Sequence, residues 1–223
     1  MTIGDTNAAR TKILARIRKA QGRGASRPSG AEIEAVETYL KSHPRGPLPE
    51  IKGDWVARFR ERAESMQSTT EELASEAEVP QAVARYLSAN GLPASGCVWP
   101  ALSTLDWRGA GLALEPRSAN GADLVGITGA FAALAETGTL MTVSGPDTPA
   151  TVSLLPETHV AVVRASRIVP RMEEAWDLVR QAYGQLPRAV NFISGPSRTG
   201  DIEQQLVLGA HGPYRVHIVI VRD

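Results

Sequence analysis

Between Asn191 and Gly212 the chain reads NFISGPSRTGDIEQQLVLGAHG. Two glycines, two hydroxyls and one arginine fall within Gly195-Pro196-Ser197-Arg198-Thr199-Gly200. A guanidinium presents a planar fork of donors matched to a carboxylate or phosphate. Backbone N–H groups left free at a helix start favour the same kind of ligand. The pattern predicts a strand over Val190–Ser194, a strand-to-helix turn through Gly195–Arg198 and a helix over Thr199–Leu208. In that arrangement Gly195 lets the backbone approach a ligand. Asp201 and Glu203 would sit in the first helical turn, where the helix dipole favours acidic residues. The alternative is a capped turn with a solvent-facing arginine. No Gly-Lys-Ser/Thr follows at the spacing of a Walker A loop.

A second stretch, ITGAFAALAETGTLMTVSGPD, carries one carboxylate, Glu136, in a segment free of other charges from Leu124 to Pro146. A carboxylate drawn into apolar surroundings either finds partners or has its pKa raised, and both outcomes recur at functional sites. The spacing predicts a strand ending at Ile127, a small-residue helix over Thr128–Ala135, and a turn through Glu136-Thr137-Gly138-Thr139 into the next strand. A glutamate exposed at a helix end is the competing reading.

The remaining reactive side chains are sparse. His211, in a GAHGP turn, is the best acid–base candidate among four histidines, but no Ser, Cys or Asp stands at triad spacing. His159 begins a strand, His217 alternates along the last one, and His43 lies in a proline-rich linker. No HExxH, CxxC or GxGxxG occurs, which argues against a sequence-local metal site and a Rossmann dinucleotide fingerprint. Cys97, the one cysteine, cannot form an internal disulfide or supply the thiolates of an iron–sulfur cluster, and it reads as a core residue.

These loops need a scaffold. With 223 residues, 43% of them hydrophobic, the chain has material for a sizeable core. Lys plus Arg and Asp plus Glu both number 24, so zero net charge leaves no electrostatic footprint for nucleic acid or a membrane surface. The start has no apolar leader segment, and no run approaches the ~18 apolar residues of a membrane span, so a cytoplasmic protein is expected. Helical spacing over Asn7–Ala20 and Ala31–Lys41, separated by GRGASRPSG and followed by SHPRGPLPE, describes an arm and linker over residues 1–50. Over 51–223, a helix at Asp54–Met66 and one at Gln81–Ala89 precede short apolar runs. Strands are predicted at Gly96–Trp99, Gly111–Leu114, Leu124–Ile127, Leu140–Val143, Val160–Arg164 and Val216–Val221, with a further helix at Pro170–Tyr183. Such alternation predicts an α/β domain, in which ligands favour the carboxyl ends of strands.

GITGAFAALAETGTLM, SLLPETHVAVVRASRIVP and FISGPSRTGDIEQQLVLGAHGP, in that order, resemble the lactate utilisation protein C family, the LUD-domain proteins of YkgG type. The match runs from about Asp54 to Val221, with a looser likeness in the arm. The resemblance implies a three-layer core similar to the NagB/RpiA/CoA-transferase folds, carrying a helical N-terminal arm. It also implies a role in oxidising L-lactate to pyruvate beside iron–sulfur oxidoreductase partner subunits. This chain would then hold no cofactor, and the clusters would sit on the partners. The family's motif positions are Glu136, Thr137, Gly138 and Thr139 in one loop, and Gly195, Pro196, Ser197, Arg198, Thr199, Asp201 and Glu203, with His211 and Gly212, in the other. Gly200 stands where alanine is expected.

Three readings follow. In the first, the protein is a subunit or accessory protein of lactate oxidation that binds a small anionic ligand through Thr137, Gly138, Thr139, Gly195, Ser197, Arg198, Thr199 and Asp201. In the second, it is a stand-alone enzyme on a phosphorylated, folate or acyl-CoA ligand, with Glu136 as base or nucleophile, by analogy with coenzyme-A transferases. In the third, it is a non-catalytic module whose arm docks on a partner.

Overall fold

The computed structural model describes residues 7–24, 27–48, 50–202, 205–209 and 211–223. The chain divides into two compact units, residues 1–49 and 50–223. The first holds α1 (Asn7–Ala20) and α2 (Gly30–Ser42), neither with a buried residue. Ser29 starts α2 through a capping box: its side chain accepts from the Glu32 backbone N–H, and the Glu32 carboxylate accepts from the Ser29 backbone N–H at 2.8 Å.

In the larger unit, Asp54 caps α3 (Trp55–Ser65), accepting the Val56 and Ala57 N–H groups. Then come β1 (Thr69–Leu73), α4 (Val79–Ala89), β2 (Ser95–Val98), β3 (Ala113–Pro116) and β4 (Val125–Gly129). A ribbon of β5 (Ala132–Leu134) and β6 (Thr139–Val143) follows, and after it β7 (Thr158–Arg164), β8 (Ile168–Val169), α5 (Met172–Ala182) and β9 (Val190–Ile193). The chain closes with β10 (Arg198–Ile202), β11 (Gln205–Leu208) and β12 (Arg215–Val221).

Six strands form an all-parallel sheet in the order β1-β12-β7-β4-β2-β3. Such a sheet must be covered on both faces, and the residues of its central strands sort accordingly. Val160 and Val162 of β7 join α4 residues in one core, while Ala161 and Val163 join Phe59 and Ala63 of α3 in the other. β12 alternates likewise, with Val219 and Val221 on the first face and Val216, Ile218 and Ile220 on the second. That second face also carries a smaller sheet, β8-β5-β6-β9. α5 packs Ala175 and Val179 against its far side. The α/β class is therefore as the sequence predicts, and helices cover both outer surfaces of the layered sheets.

Two predicted helices are strands. Thr128–Ala135 completes β4 and enters β5: Ala133 and Ala135 face α3, whereas Ala132 and Leu134 face α5. Every residue from Ala132 to Ala135 is at most 1% exposed. Burial on both sides outweighs the helix propensity of alanine, and an unbroken apolar run shows no period by which to tell the two apart. Thr199–Leu208 instead forms the β10–β11 hairpin, pairing Arg198 with Leu208 and Thr199 with Val207. Gly200, poor in a helix, falls within β10. β1, the edge strand TTEEL, was too polar to be expected as a strand, and β3 lies two residues beyond its predicted position.

Candidate functional site

The β5–β6 turn and the segment after β9 are brought together. β6 pairs antiparallel with β9, setting Leu140 opposite Ile193. Thr139 and Ser194, the residues just beyond that pair, meet through their hydroxyls, and Thr137 extends the chain to Thr139 at 2.7 Å. Both segments settle on the C-terminal turn of α3. That turn closes with the Ser68 N–H donating to Ala63 O and the Gln67 N–H to Glu64 O, Gln67 taking a left-handed φ of 70°. This is a Schellman ending with glutamine where glycine is usual.

The two loop glycines face this helix end. Gly138 has φ +67°, and a Cβ there would lie 2.3 Å from Ala63 N; Gly195 has φ +70°, and its Cβ would lie 2.1 Å from Met66 O. Gly195 thus makes room for the protein's own backbone, correcting the expectation that it opens space for a ligand. Arg198 donates through Nη2 to Met66 O at 2.7 Å, placing a cation at the negative end of α3. Because β10 starts at Arg198, no helix start follows Ser197, and the expected set of helix N–H donors is absent. The dipole explanation for Asp201 and Glu203 goes with it: Asp201 lies in β10, and Glu203 lies outside the described residues.

Around this junction Ser197 donates its N–H to Pro213 O, and Gly209 donates to Ser197 O, at 2.8 and 2.9 Å. Gly212 approaches Ser197, a Cβ on Gly212 lying 3.4 Å from the Ser197 Cβ. His211 is exposed in the same turn, and Thr199 is half-buried. Glu136 is half-buried; its N–H donates to Pro170 O, while its carboxylate has no hydrogen-bond or ion-pair partner among the described residues. Among those residues no group of three or more His, Cys, Asp or Glu could hold a metal ion. No helix among them is long and apolar enough to cross a membrane.

The two buried histidines serve the sheet. His159 shares a 2.7 Å hydrogen bond with Thr128 Oγ1, and burial pushes its pKa down to about 4. His217 bonds Thr69 Oγ1 through Nδ1 at 2.8 Å and stacks on Tyr86 at 3.9 Å. Burial lowers its pKa to about 4 as well, against the opposing pull of Glu71. Burial likewise pushes the Cys97 thiol up to about 11, with Asp123 adding to the effect, so the thiol stays protonated.

A concave region that the sequence patterns did not single out opens at the carboxyl ends of the parallel strands. Its volume is about 380 Å³, and its walls come from the segments after β1, β2, β4 and β7. The signal in the sequence is VVRASR, in which one arginine ends a buried strand and a second follows three residues later.

A parallel sheet covered by helices and a second sheet, with Arg- and Thr-bearing loops on one helix end, defines a layered α/β protein. Residues 116–221 match the LUD domain. The chain is similar to proteins called lactate utilization protein C. It is 45% identical over 102 residues to lactate utilization protein C of Bacillus subtilis (strain 168), covering 44% of this chain and 42% of that protein. It is 46% identical over 108 residues to lactate utilization protein C 1 of Bacillus mycoides (strain KBAB4), covering 47% and 46%. The aligned part thus spans less than half the length of these relatives. A crystal structure of a DUF162 family protein from Deinococcus radiodurans superposes with a TM-score of 0.59 at 26% identity, covering 78% of this chain and 99% of that one.

Proposed function

We propose that this protein serves lactate utilisation as a cytoplasmic subunit or accessory protein of L-lactate oxidation to pyruvate, working beside iron–sulfur oxidoreductase subunits. The observation that carries the reading is its 45% identity to a lactate utilization protein C, within a chain whose LUD domain includes both candidate loops. One cysteine, buried and protonated, gives this chain no thiolate set for a cluster, so electrons would travel on the partners. An anionic ligand would meet Arg198, which commits one donor to Met66 O, beside the Thr137–Thr139–Ser194 hydroxyls. The second reading, a stand-alone enzyme with Glu136 as base or nucleophile, draws support from the half-buried, unpartnered Glu136 carboxylate. It predicts turnover of a phosphorylated, folate or acyl-CoA compound by the isolated chain, lost in Glu136→Gln.

The test is lactate-dependent dye reduction by the iron–sulfur partners with and without the purified chain. The rate should require the chain and fall roughly tenfold or more with Arg198→Ala, the loss of a charge-assisted ligand contact. Arg198→Lys keeps a donor for Met66 but loses the planar fork, so it separates helix anchoring from ligand binding. A rate indifferent to the chain refutes the lactate role. A rate that needs the chain but tolerates Arg198→Ala moves the ligand elsewhere.

A further inference from the structure

We propose that the crevice at the carboxyl ends of β2 and β4 is a binding site for an organic oxyanion with an apolar body, its carboxylate or phosphate paired with Arg167. The inference goes beyond the lactate reading and does not depend on the loops around Arg198.

The topology produces the crevice. From β2 the chain leaves outward to the edge strand β3, whereas from neighbouring β4 it leaves the other way, through the β5–β6 ribbon to β7. Adjacent parallel strands whose exits diverge leave a gap outside their carboxyl ends, the usual ligand position in open α/β sheets. Here Ala101, Leu102 and Leu105 after β2 face Ala130 and Phe131 after β4, and Val162 of β7 also lines the gap. Its volume of about 380 Å³ equals that of roughly a dozen waters in the liquid, room for more than a three-carbon acid.

The charges decide the sign of the ligand. Glu76, Arg164 and Arg167 line the crevice, a net charge of plus one. Arg164 is occupied: its Nε and Nη2 both lie 2.8 Å from Glu76 Oε1. Asp223 also acts on Arg164, but its carboxylate is engaged by Ser166, whose N–H donates to it at 2.9 Å. Arg167 has no carboxylate or carbonyl partner among the described residues; its guanidinium carbon lies 5.5 Å from the centre of the Phe131 ring. A guanidinium poised over an aromatic face beside an apolar floor fits an oxyanion joined to an apolar group.

Phenyl phosphate and benzoate are the probes, with inorganic phosphate as the control lacking an apolar body, titrated against the full chain by calorimetry and saturation-transfer NMR. One or both aryl anions should bind at roughly millimolar Kd, and inorganic phosphate roughly tenfold more weakly. Tighter phenyl phosphate assigns the site to phosphate esters, and tighter benzoate assigns it to carboxylic acids. Arg167→Gln removes the cation from an exposed position, and Ala101→Trp fills the mouth from another. Each should weaken binding roughly tenfold. Absence of saturable binding to about 20 mM overturns the proposal, as does binding that survives both crevice variants or is matched by inorganic phosphate.

Discussion

His159 offers a sharp test of how the sheet is assembled. It is fully buried, with Nε2 on Thr128 and Nδ1 without a partner, and burial lowers its pKa from 6.5 to about 4. Between those values the unfolded chain binds a proton that the folded chain refuses, so stability is complete above about pH 6.5 and is lost as pH falls towards 4. From pH 7 to pH 5 the linkage amounts to about 2 kcal/mol for this one side chain. His217, with its pKa also lowered to about 4, adds a similar amount, for a total of about 4 kcal/mol. Glu72 and Asp123 are held below their ordinary values by Arg222 and Arg117, so their losses fall at lower pH. Urea unfolding of wild type and His159→Gln at pH 7 and pH 5 isolates the contribution. Wild type should lose about 4 kcal/mol and the variant about 2 kcal/mol, whatever the substitution itself costs at pH 7. Equal losses in both proteins would refute the claim that His159 is neutral because it is buried.

Two further predictions concern the loops and the thiol. Gly195→Ala and Gly91→Ala impose similar left-handed strain, φ +70° and +63°, but only the first meets an obstacle, Met66 O at 2.1 Å. In chemical denaturation Gly91→Ala should cost about 1 kcal/mol and Gly195→Ala at least about 2 kcal/mol more; equal costs would show that Gly195 does not pack on α3. Cys97 should resist iodoacetamide at pH 8 in the folded protein and react on unfolding, as mass spectrometry would read, because its thiol is buried with a pKa of about 11. Complete labelling of folded protein within minutes would contradict that burial.

The parts of the fold that were legible in the sequence are those where burial and period agree. THVAVVR and RVHIVIV are rich in β-branched residues and became two adjacent inner strands, β7 and β12. AFAALA is apolar on every residue, so nothing in it separates a helix from a strand buried on both faces. The meeting of the two loops was legible as neighbouring strand ends, and the β6–β9 pairing brings it about. What the glycines make room for was not legible: a glycine that admits a ligand and one that admits another backbone look alike in one dimension. Only the position of Met66 O against Gly195 separates them.

The same distinction bears on the two arginines. Arg198 sits in the glycine-rich loop that looks most like a ligand cradle, yet it spends a donor on the carbonyl that ends α3. Arg167 sits in a segment without glycine, VVRASR, and among the described residues it lies over an aromatic face beside an open crevice without a carboxylate or carbonyl partner. A helix end needs a cation whether or not a ligand exists, whereas a guanidinium beside an apolar gap has no structural acceptor to satisfy. Removing Arg198 should therefore lower stability by about 0.3–1 kcal/mol through α3 as well as any activity, and its effect on dye reduction has to be judged against unfolding of the same variant. Removing Arg167 should cost at most about 0.5–1 kcal/mol, the contact with Phe131, so a tenfold binding loss there is not explained by a folding defect.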